Sequence, residues 1–215
     1  AISGGMGKMG LLLSDFIENK DGYDISGIYD PEKESNTYHN YKSIDEINAD
    51  ILVEFSPANS INENLAVLAK KKINLVVGSS GINERSLEIL KSNIDDDQFI
   101  CIIPNFSIGA SFQKIFSGFL NNNFPEVSIE ERHHSNKKDS PSGTAVDMAQ
   151  SLENEERTST EIQESSDYEE NIINEINIKS LRSDKYIAEQ TVTFSTRDES
   201  ISIDHKVTNR TAYLE

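Results

Sequence analysis

One cysteine, no tryptophan and five prolines stand among 215 residues. A single thiol, Cys101, excludes an intrachain disulfide and any metal site that needs several cysteines. Cys101 lies in the apolar run Phe99-Ile100-Cys101-Ile102-Ile103, so a buried, unreactive thiol is expected. Positive charge is scarce: 20 Lys plus Arg face 37 Asp plus Glu, a formal net charge of −17. Nucleic acid and anionic membrane are held by basic faces, so neither is an expected partner. No apolar run approaches the roughly 18 residues that cross a bilayer. No basic-then-apolar leader opens the chain, so a cytoplasmic enzyme or binding protein is expected. The first residue is not Met, and only Ala1-Ile2-Ser3 precede the first glycine. A strand usually has about five or six residues, so the chain is read as a fragment shortened at both ends. What is present, 36% hydrophobic and 27% charged, suffices for one larger globular domain or two small ones.

Up to Pro104, short β-rich runs alternate with helical patterns. Ile2 opens a strand and a glycine turn follows. Met9, Leu12, Leu13, Phe16 and Ile17 then recur at helical spacing. Asp24 to Tyr29, Ile51 to Phe55, Ile73 to Val77 and Phe99 to Ile103 read as further strands. Ile61, Leu65, Leu68 and Ala69, then Leu87, Leu90 and Ile94, mark helices between them. This alternation predicts a parallel sheet covered on both faces. After Pro104 the rhythm changes. Residues 108–121 are expected to be helical, Val127 to His133 to be a strand, and a helix to start near Ser142. Residues 153–170 are acidic and polar, and suggest a mobile insertion. Ile172 to Leu181, Ile187 to Thr196 and Ser200 to Val207 read as three strands. One helix-strand-helix unit followed by consecutive strands predicts a mixed sheet, distinct from the first domain. The fold class is therefore α/β, with a second α+β domain.

Gly4-Gly5-Met6-Gly7-Lys8-Met9-Gly10 lies between a strand and a helix. Glycines there let the chain turn tightly and let a pyrophosphate approach the backbone amides. The usual spacing asks for glycine at 4, 6 and 9, and here it falls at 4, 7 and 10. Asp30, at the end of the second strand, stands where a carboxylate accepts hydrogen bonds from an adenosine ribose. The plainer readings are a tight turn with nothing bound and an exposed turn acid. Gly78-Ser79-Ser80-Gly81 and Pro104-Asn105-Phe106-Ser107 each follow a parallel strand, at the end where ligands gather.

The densest chemistry runs from Glu131 to Thr144: Glu-Arg-His-His-Ser-Asn-Lys-Lys-Asp-Ser-Pro-Ser-Gly-Thr. His133 and His134 are adjacent on a strand end and point to opposite sides. That disfavours a shared metal, and no zinc site is expected. Ser142-Gly143-Thr144 opens a helix, and free amides there, beside Lys137 and His134, form an anion cradle suited to a carboxylate. His133 and Lys137 are of types that supply protons near neutrality. The alternative is a polar loop that merely caps a helix.

From Ile2 to its last residues the chain resembles the 4-hydroxy-tetrahydrodipicolinate (dihydrodipicolinate) reductase family. Glu131 to Ala145 meets every fixed position of the pattern E-x-H-H-x-x-K-x-D-x-P-S-G-T-A. The glycine turn, Pro104 to Gly109 and Asp204-His205-Lys206 to Arg210 also fit. The resemblance implies a Rossmann dinucleotide-binding domain over 1–107. A substrate-binding and oligomerisation domain with a mixed sheet is implied over 108–208, and a return to the first domain over 209–215. It also implies about one further helix beyond Arg210. NADH or NADPH would meet Gly4, Gly5, Met6, Gly7, Lys8 and Met9, then Asp30, the loop Gly78, Ser79 and Ser80, and Ile103, Pro104, Asn105 and Phe106. His133 and Lys137 are implied as proton donors, with His134, Gly143 and Thr144 holding the carboxylates of a small dicarboxylate ring in the diaminopimelate and lysine route. A homotetramer joined through the second sheet is implied. Asp30, with no Arg directly after it and only Lys33 nearby, favours NADH. After Ser180-x-Arg182 the family usually has G-x-x-x-G-x-H, where this chain has Asp184, Ala188 and Gln190. Another Rossmann-fold reductase and a nucleotide-binding regulator without catalysis are the competing readings.

Overall fold

A computed structural model describes residues 1–154, 157 and 168–214. The chain divides into two compact units, Ala1–Pro104 with Leu214 and Asn105–Tyr213. Among the described residues no helix is long and apolar enough to cross a membrane.

The first unit runs β1 (Ile2–Ser3), α1 (Lys8–Glu18), β2 (Ile28–Tyr29), β3 (Asn40–Tyr41), β4 (Ile51–Glu54), α2 (Ile61–Leu68), β5 (Asn74–Val77), α3 (Glu84–Asn93) and β6 (Ile100–Ile102). All six strands are parallel, in the order β3-β2-β1-β4-β5-β6. Chain order reverses between β1 and β4, which is where doubly wound sheets take dinucleotides. Leu52, Leu75 and Val77 from the strands are fully buried against Ile61, Leu65 and Leu68 of α2 and, nearly so, Leu90 of α3. Each such side chain contributes roughly 1.5–3 kcal/mol on burial.

Two expectations are corrected in this unit and one strand is added. The second strand starts at Ile28, not Asp24; Asp24, Ser26 and Gly27 bring no apolar side chain to bury. The short β3 was not foreseen, because Asn40–Tyr41 has no apolar signature and becomes a strand only by pairing with Ile28–Tyr29. Cys101 is exposed, not buried. It lies on β6, an edge of the sheet, where Phe99 and Ile102 are also exposed, and an edge strand receives cover from one neighbour only.

The second unit runs α4 (Ile108–Leu120), β7 (Glu126–His133), α5 (Gly143–Ser151), β8 (Glu169–Ile173), β9 (Ile176–Arg182), β10 (Ala188–Ser195) and β11 (Ser200–Val207). Its sheet has the order β11-β10-β7-β9-β8. β7 and β9 are parallel and the other pairs antiparallel, so the sheet is mixed as expected. Val127, Ile129, Ile176, Ile178, Val192 and Phe194 face Ala145, Met148, Ala149 and Leu152 of α5 and the turn after it. The expected single strand from Ile172 to Leu181 is a hairpin instead. Asn174 and Glu175 hold φ of 50° and 59°, the left-handed pair of a two-residue turn that matches strand twist. Ser142 caps α5, its Oγ accepting from the Ala145 amide at 3.3 Å. The polar insertion expected over 153–170 falls largely on 155, 156 and 158–167, outside the described residues.

One departure from the family pattern is compensated. Gln190 is buried and its amide donates to Gln113 Oε1 at 3.1 Å. Gln113 in turn donates to the Gln190 and Ile203 carbonyls at 2.8 and 2.7 Å. This exchange ties α4 to β10 and β11. Asp184 accepts a short hydrogen bond from Ser135 Oγ and so holds the loop after His134.

Candidate active site

In the first unit the site is set by the β1–α1 turn. Gly4 has φ +68°, and a Cβ there would lie 2.6 Å from the Phe55 carbonyl oxygen. At Gly10 a Cβ would lie 2.5 Å from both Gly4 O and Gly5 Cα. No side chain caps α1 at Gly7, and its first turn carries no acid. Its amide end therefore has neither a capping side chain nor a first-turn acid of its own, and is suited to an anion. Asp30 braces the turn: its carboxylate accepts from the amides of Met6 at 3.2 Å, Glu32 at 3.0 Å and Lys33 at 3.1 Å.

Gly4, Met6, Gly7 and Asp30 line one cavity of about 440 Å³, with Ser56 and Asn64 opposite. Those last two were not singled out from sequence. Ser56 follows β4, directly across the order reversal, and that position was the available signal. Asn64 Nδ2 donates to Ser56 Oγ at 2.9 Å, and the Ser56 amide donates to the buried Glu54 carboxylate at 2.6 Å. Gly5, Lys8 and Met9 belong to the same turn but do not line the cavity. Gly78, Ser79 and Ser80 sit after β5, where the Gly78 amide and Ser79 Oγ donate to the Glu54 carbonyl at 3.0 and 3.2 Å. Ile103 and Pro104 follow β6, the Ile103 amide donating to Val77 O at 2.8 Å.

In the second unit the parallel pairing of β7 with β9 places His133 opposite Arg182 and Glu131 opposite Ser180. Glu131 is fully buried. Its Oε1 accepts from Arg182 at 2.8 Å and from the Ser142 amide at 3.2 Å. Its Oε2 accepts from Arg182 at 3.0 Å and makes a short contact with His133 Nδ1. Arg182 also donates to the Asp139 carbonyl at 2.6 Å. Lys137 Nζ lies 2.9 Å from Asp139 Oδ2, and the same oxygen accepts from the Gly143 amide at 3.4 Å. Asn105 Nδ2 donates to Thr144 Oγ1 at 3.2 Å, so a residue expected at the cofactor is bonded to one expected at the substrate. His133, Lys137, Gly143 and Thr144 thus converge on one loop and helix start, with Glu131, Arg182 and Asp139 linking them. An anion already lies against both Lys137 and the Gly143 amide, namely the Asp139 carboxylate. Among the described residues no group of three or more His, Cys, Asp or Glu could hold a metal ion.

Glu131 and Arg182 were not assigned a role from sequence. A signal existed: Glu131 continues the face of Val127 and Ile129, and a carboxylate on a core face needs a cation. Burial by itself pushes the Glu131 carboxyl upward; hydrogen bonds from His133 and Arg182 overturn that and hold it at about 2. Burial likewise pushes Asp139 upward, and Lys137 overcomes it, leaving that carboxyl below its usual value. The lowered Glu131 value has a consequence for acid unfolding. The folded state binds its proton less readily than the unfolded chain, so the stabilisation is present above about pH 4.5 and is lost as pH falls towards 2. Acid unfolding followed by circular dichroism should be steeper through that window in the parent than in Glu131→Gln. Identical acid profiles would refute it.

Comparisons with known proteins agree over both units. The family model described as dihydrodipicolinate reductase, N-terminus, matches residues 1–106, and that described as dihydrodipicolinate reductase, C-terminus, matches residues 107–215. The 4-hydroxy-tetrahydrodipicolinate reductase of Legionella pneumophila is 30% identical over 218 residues, covering 99% of this chain and 88% of the relative. The dipicolinate-bound dihydrodipicolinate reductase from Paenisporosarcina sp. TG-14 superposes with a TM-score of 0.75 at 23% identity, over 99% of this chain and 89% of that one. A myo-inositol dehydrogenase from Lactobacillus casei reaches a TM-score of 0.65 at 11% identity, over 96% of this chain and 74% of that one. Shared architecture alone therefore does not separate these reductases; the sequence over both units does, and the chain belongs to the dihydrodipicolinate reductase family.

Proposed function

We propose that this chain reduces 4-hydroxy-tetrahydrodipicolinate, or its dehydrated ring, to tetrahydrodipicolinate with NADH or NADPH, in the diaminopimelate and lysine route. The observation that carries the reading is the convergence of His133, Lys137 and the α5 start within E-x-H-H-x-x-K-x-D-x-P-S-G-T-A. The glycine cradle that a Cβ would fill and the open amide end of α1 fit a pyrophosphate. Residues 1–107 take the dinucleotide through Gly4 to Met9, Asp30, Gly78 to Ser80 and Ile103 to Phe106. Residues 108–208 take the substrate and build a homotetramer, and 209–215 return to the first domain. The expected location is the cytoplasm.

A bound dinucleotide would supply the hydride for the conjugated imine of the ring, which the 4-hydroxy form yields by loss of one water. Lys137 or His133 gives the proton that neutralises the anion so formed. His134 and the Gly143 and Thr144 amides hold the ring carboxylates. The helix start and the Lys137 cation stabilise negative charge as it shifts into the ring. Binding of the substrate carboxylate displaces Asp139 from Lys137 and Gly143, one like charge replacing another.

NADH should serve at least as well as NADPH. The Asp30 carboxylate lines the cavity and repels a 2′-phosphate, while Lys33 is the one cation lining it among the described residues. Initial rates with each cofactor test this. A KM for NADPH tenfold or more below that for NADH, about 1.4 kcal/mol, would reject it.

A further inference from the structure

We infer that Glu131 and Arg182 are positioning residues for His133, fixing its proton on Nδ1 and leaving Nε2 as the nitrogen that meets the substrate. The inference rests on the reading of His133 as a proton donor. It starts from the hydrogen-bond inventory of one buried carboxylate. Glu131 receives two bonds from Arg182, one from the Ser142 amide and one contact from His133 Nδ1, and the Ser180 hydroxyl opposite it in register also favours its ionised form. Arg182 and an amide are donors only, so the carboxylate stands as an acceptor, and an ionised carboxylate has no hydrogen to give. Nδ1 must then carry the hydrogen. Free neutral histidine prefers the opposite tautomer, with the hydrogen on Nε2, so the preference at this site is imposed by Glu131.

Arg182 has a separate part. It grips both Glu131 oxygens and the Asp139 carbonyl, which fixes the carboxylate plane and spares a lone carboxylate from burial. Its charge also restrains Glu131 from taking the histidine proton for itself. In register His133 lies between Arg182 on β9 and the uncharged Ala188 on β10. Among the described residues the hydrogen bond at Nδ1 is the one to Glu131. Glu131 also holds the Ser142 amide, so one side chain sets both the histidine and the start of α5. This explains physically why a carboxylate two residues before the histidine belongs with a serine-glycine-threonine helix start. The arrangement follows the logic by which a buried carboxylate orients a catalytic imidazole in hydrolases, here applied to proton delivery.

The experiment is ¹⁵N-histidine NMR of the whole protein at alkaline pH, with the His133→Gln spectrum giving the assignment. The expected result is a protonated Nδ1 and a pyridine-like Nε2. Kinetics run alongside. Glu131→Gln should lower kcat by at least about 10²-fold, as loss of a positioned acid does, with the Kd for NADH changed less than threefold. Arg182→Lys, which keeps the charge, should lower kcat by about tenfold and keep the Nδ1–H tautomer. If Glu131→Gln fails to fold, the parent spectrum and Arg182→Lys decide alone. A parent His133 that is neutral with its hydrogen on Nε2, or Glu131→Gln turnover within threefold of the parent, overturns the inference. A parent with no turnover overturns the proposed activity instead, whichever tautomer it shows.

Discussion

Lys137→Ala and His133→Gln should each lower kcat by about 10²–10⁴, the usual cost of removing a positioned acid. Both side chains belong to the second unit and neither lines the glycine-turn cavity. The Kd for NADH should therefore move by less than roughly threefold, about 0.7 kcal/mol. The folds of both variants should persist. Without His133, Glu131 keeps Arg182 and the Ser142 amide. Without Lys137, Asp139 keeps the Gly143 amide. Lys137→Ala should also raise KM if, as proposed, its ammonium meets a substrate carboxylate. The double variant should fall short of the product of the two losses, because groups sharing one proton delivery are not additive. His134→Ala should differ in kind, with KM rising more than kcat falls. A loop that only caps α5 would tolerate all three changes, so turnover within threefold of the parent for both Lys137→Ala and His133→Gln would remove the catalytic assignment and leave the fold untouched.

The other large effect lies in the first unit. In Gly10→Ala the added methyl would sit 2.5 Å from Gly4 O and Gly5 Cα, both backbone atoms. Neither can swing aside as a side-chain tip can, so the turn must open. Overpacking of this kind costs about 1–3 kcal/mol, which lowers Tm by several degrees in a chain of this size, at roughly 2–4 °C per kcal/mol. Opening the turn also spoils the approach of a pyrophosphate to the α1 amides, and NADH affinity should fall at least about tenfold, or 1.4 kcal/mol. Fluorescence titration with NADH and a thermal scan read both quantities. Unchanged affinity with unchanged Tm would show that the turn has slack the geometry does not reveal.

What could be read from the chain and what could not divide along a physical line. Strands with apolar runs and a covering helix were legible: β4, α2 and β5 fall within a residue or two of where their apolar residues place them, and α3 covers two of its three marker positions. The β1–α1 turn and the run from Glu131 to Thr144 stood out by residue type and order, and the structure draws the latter together through Glu131, Asp139 and Arg182. Position within a sheet was not legible. Cys101 sits in as apolar a run as any buried strand, and only its place at the edge exposes it. The turn at Asn174–Glu175 lacks the glycine that usually announces a left-handed pair. Pairs that are distant in sequence were also hidden. Arg182 reaches Glu131 across 51 positions because β7 and β9 run parallel. Gln190 is compensated by Gln113, which is 77 positions away.

The central claim is that these two units together reduce a dicarboxylate ring at the expense of a nicotinamide dinucleotide. The most direct test is continuous measurement of NADH oxidation by the purified chain after addition of freshly generated 4-hydroxy-tetrahydrodipicolinate. The account predicts steady oxidation that requires the substrate, is competitively inhibited by pyridine-2,6-dicarboxylate and collapses in Lys137→Ala. Binding of NADH with no oxidation above background, under conditions where a family member from another source turns over, would contradict it and leave a nucleotide-binding protein without catalysis.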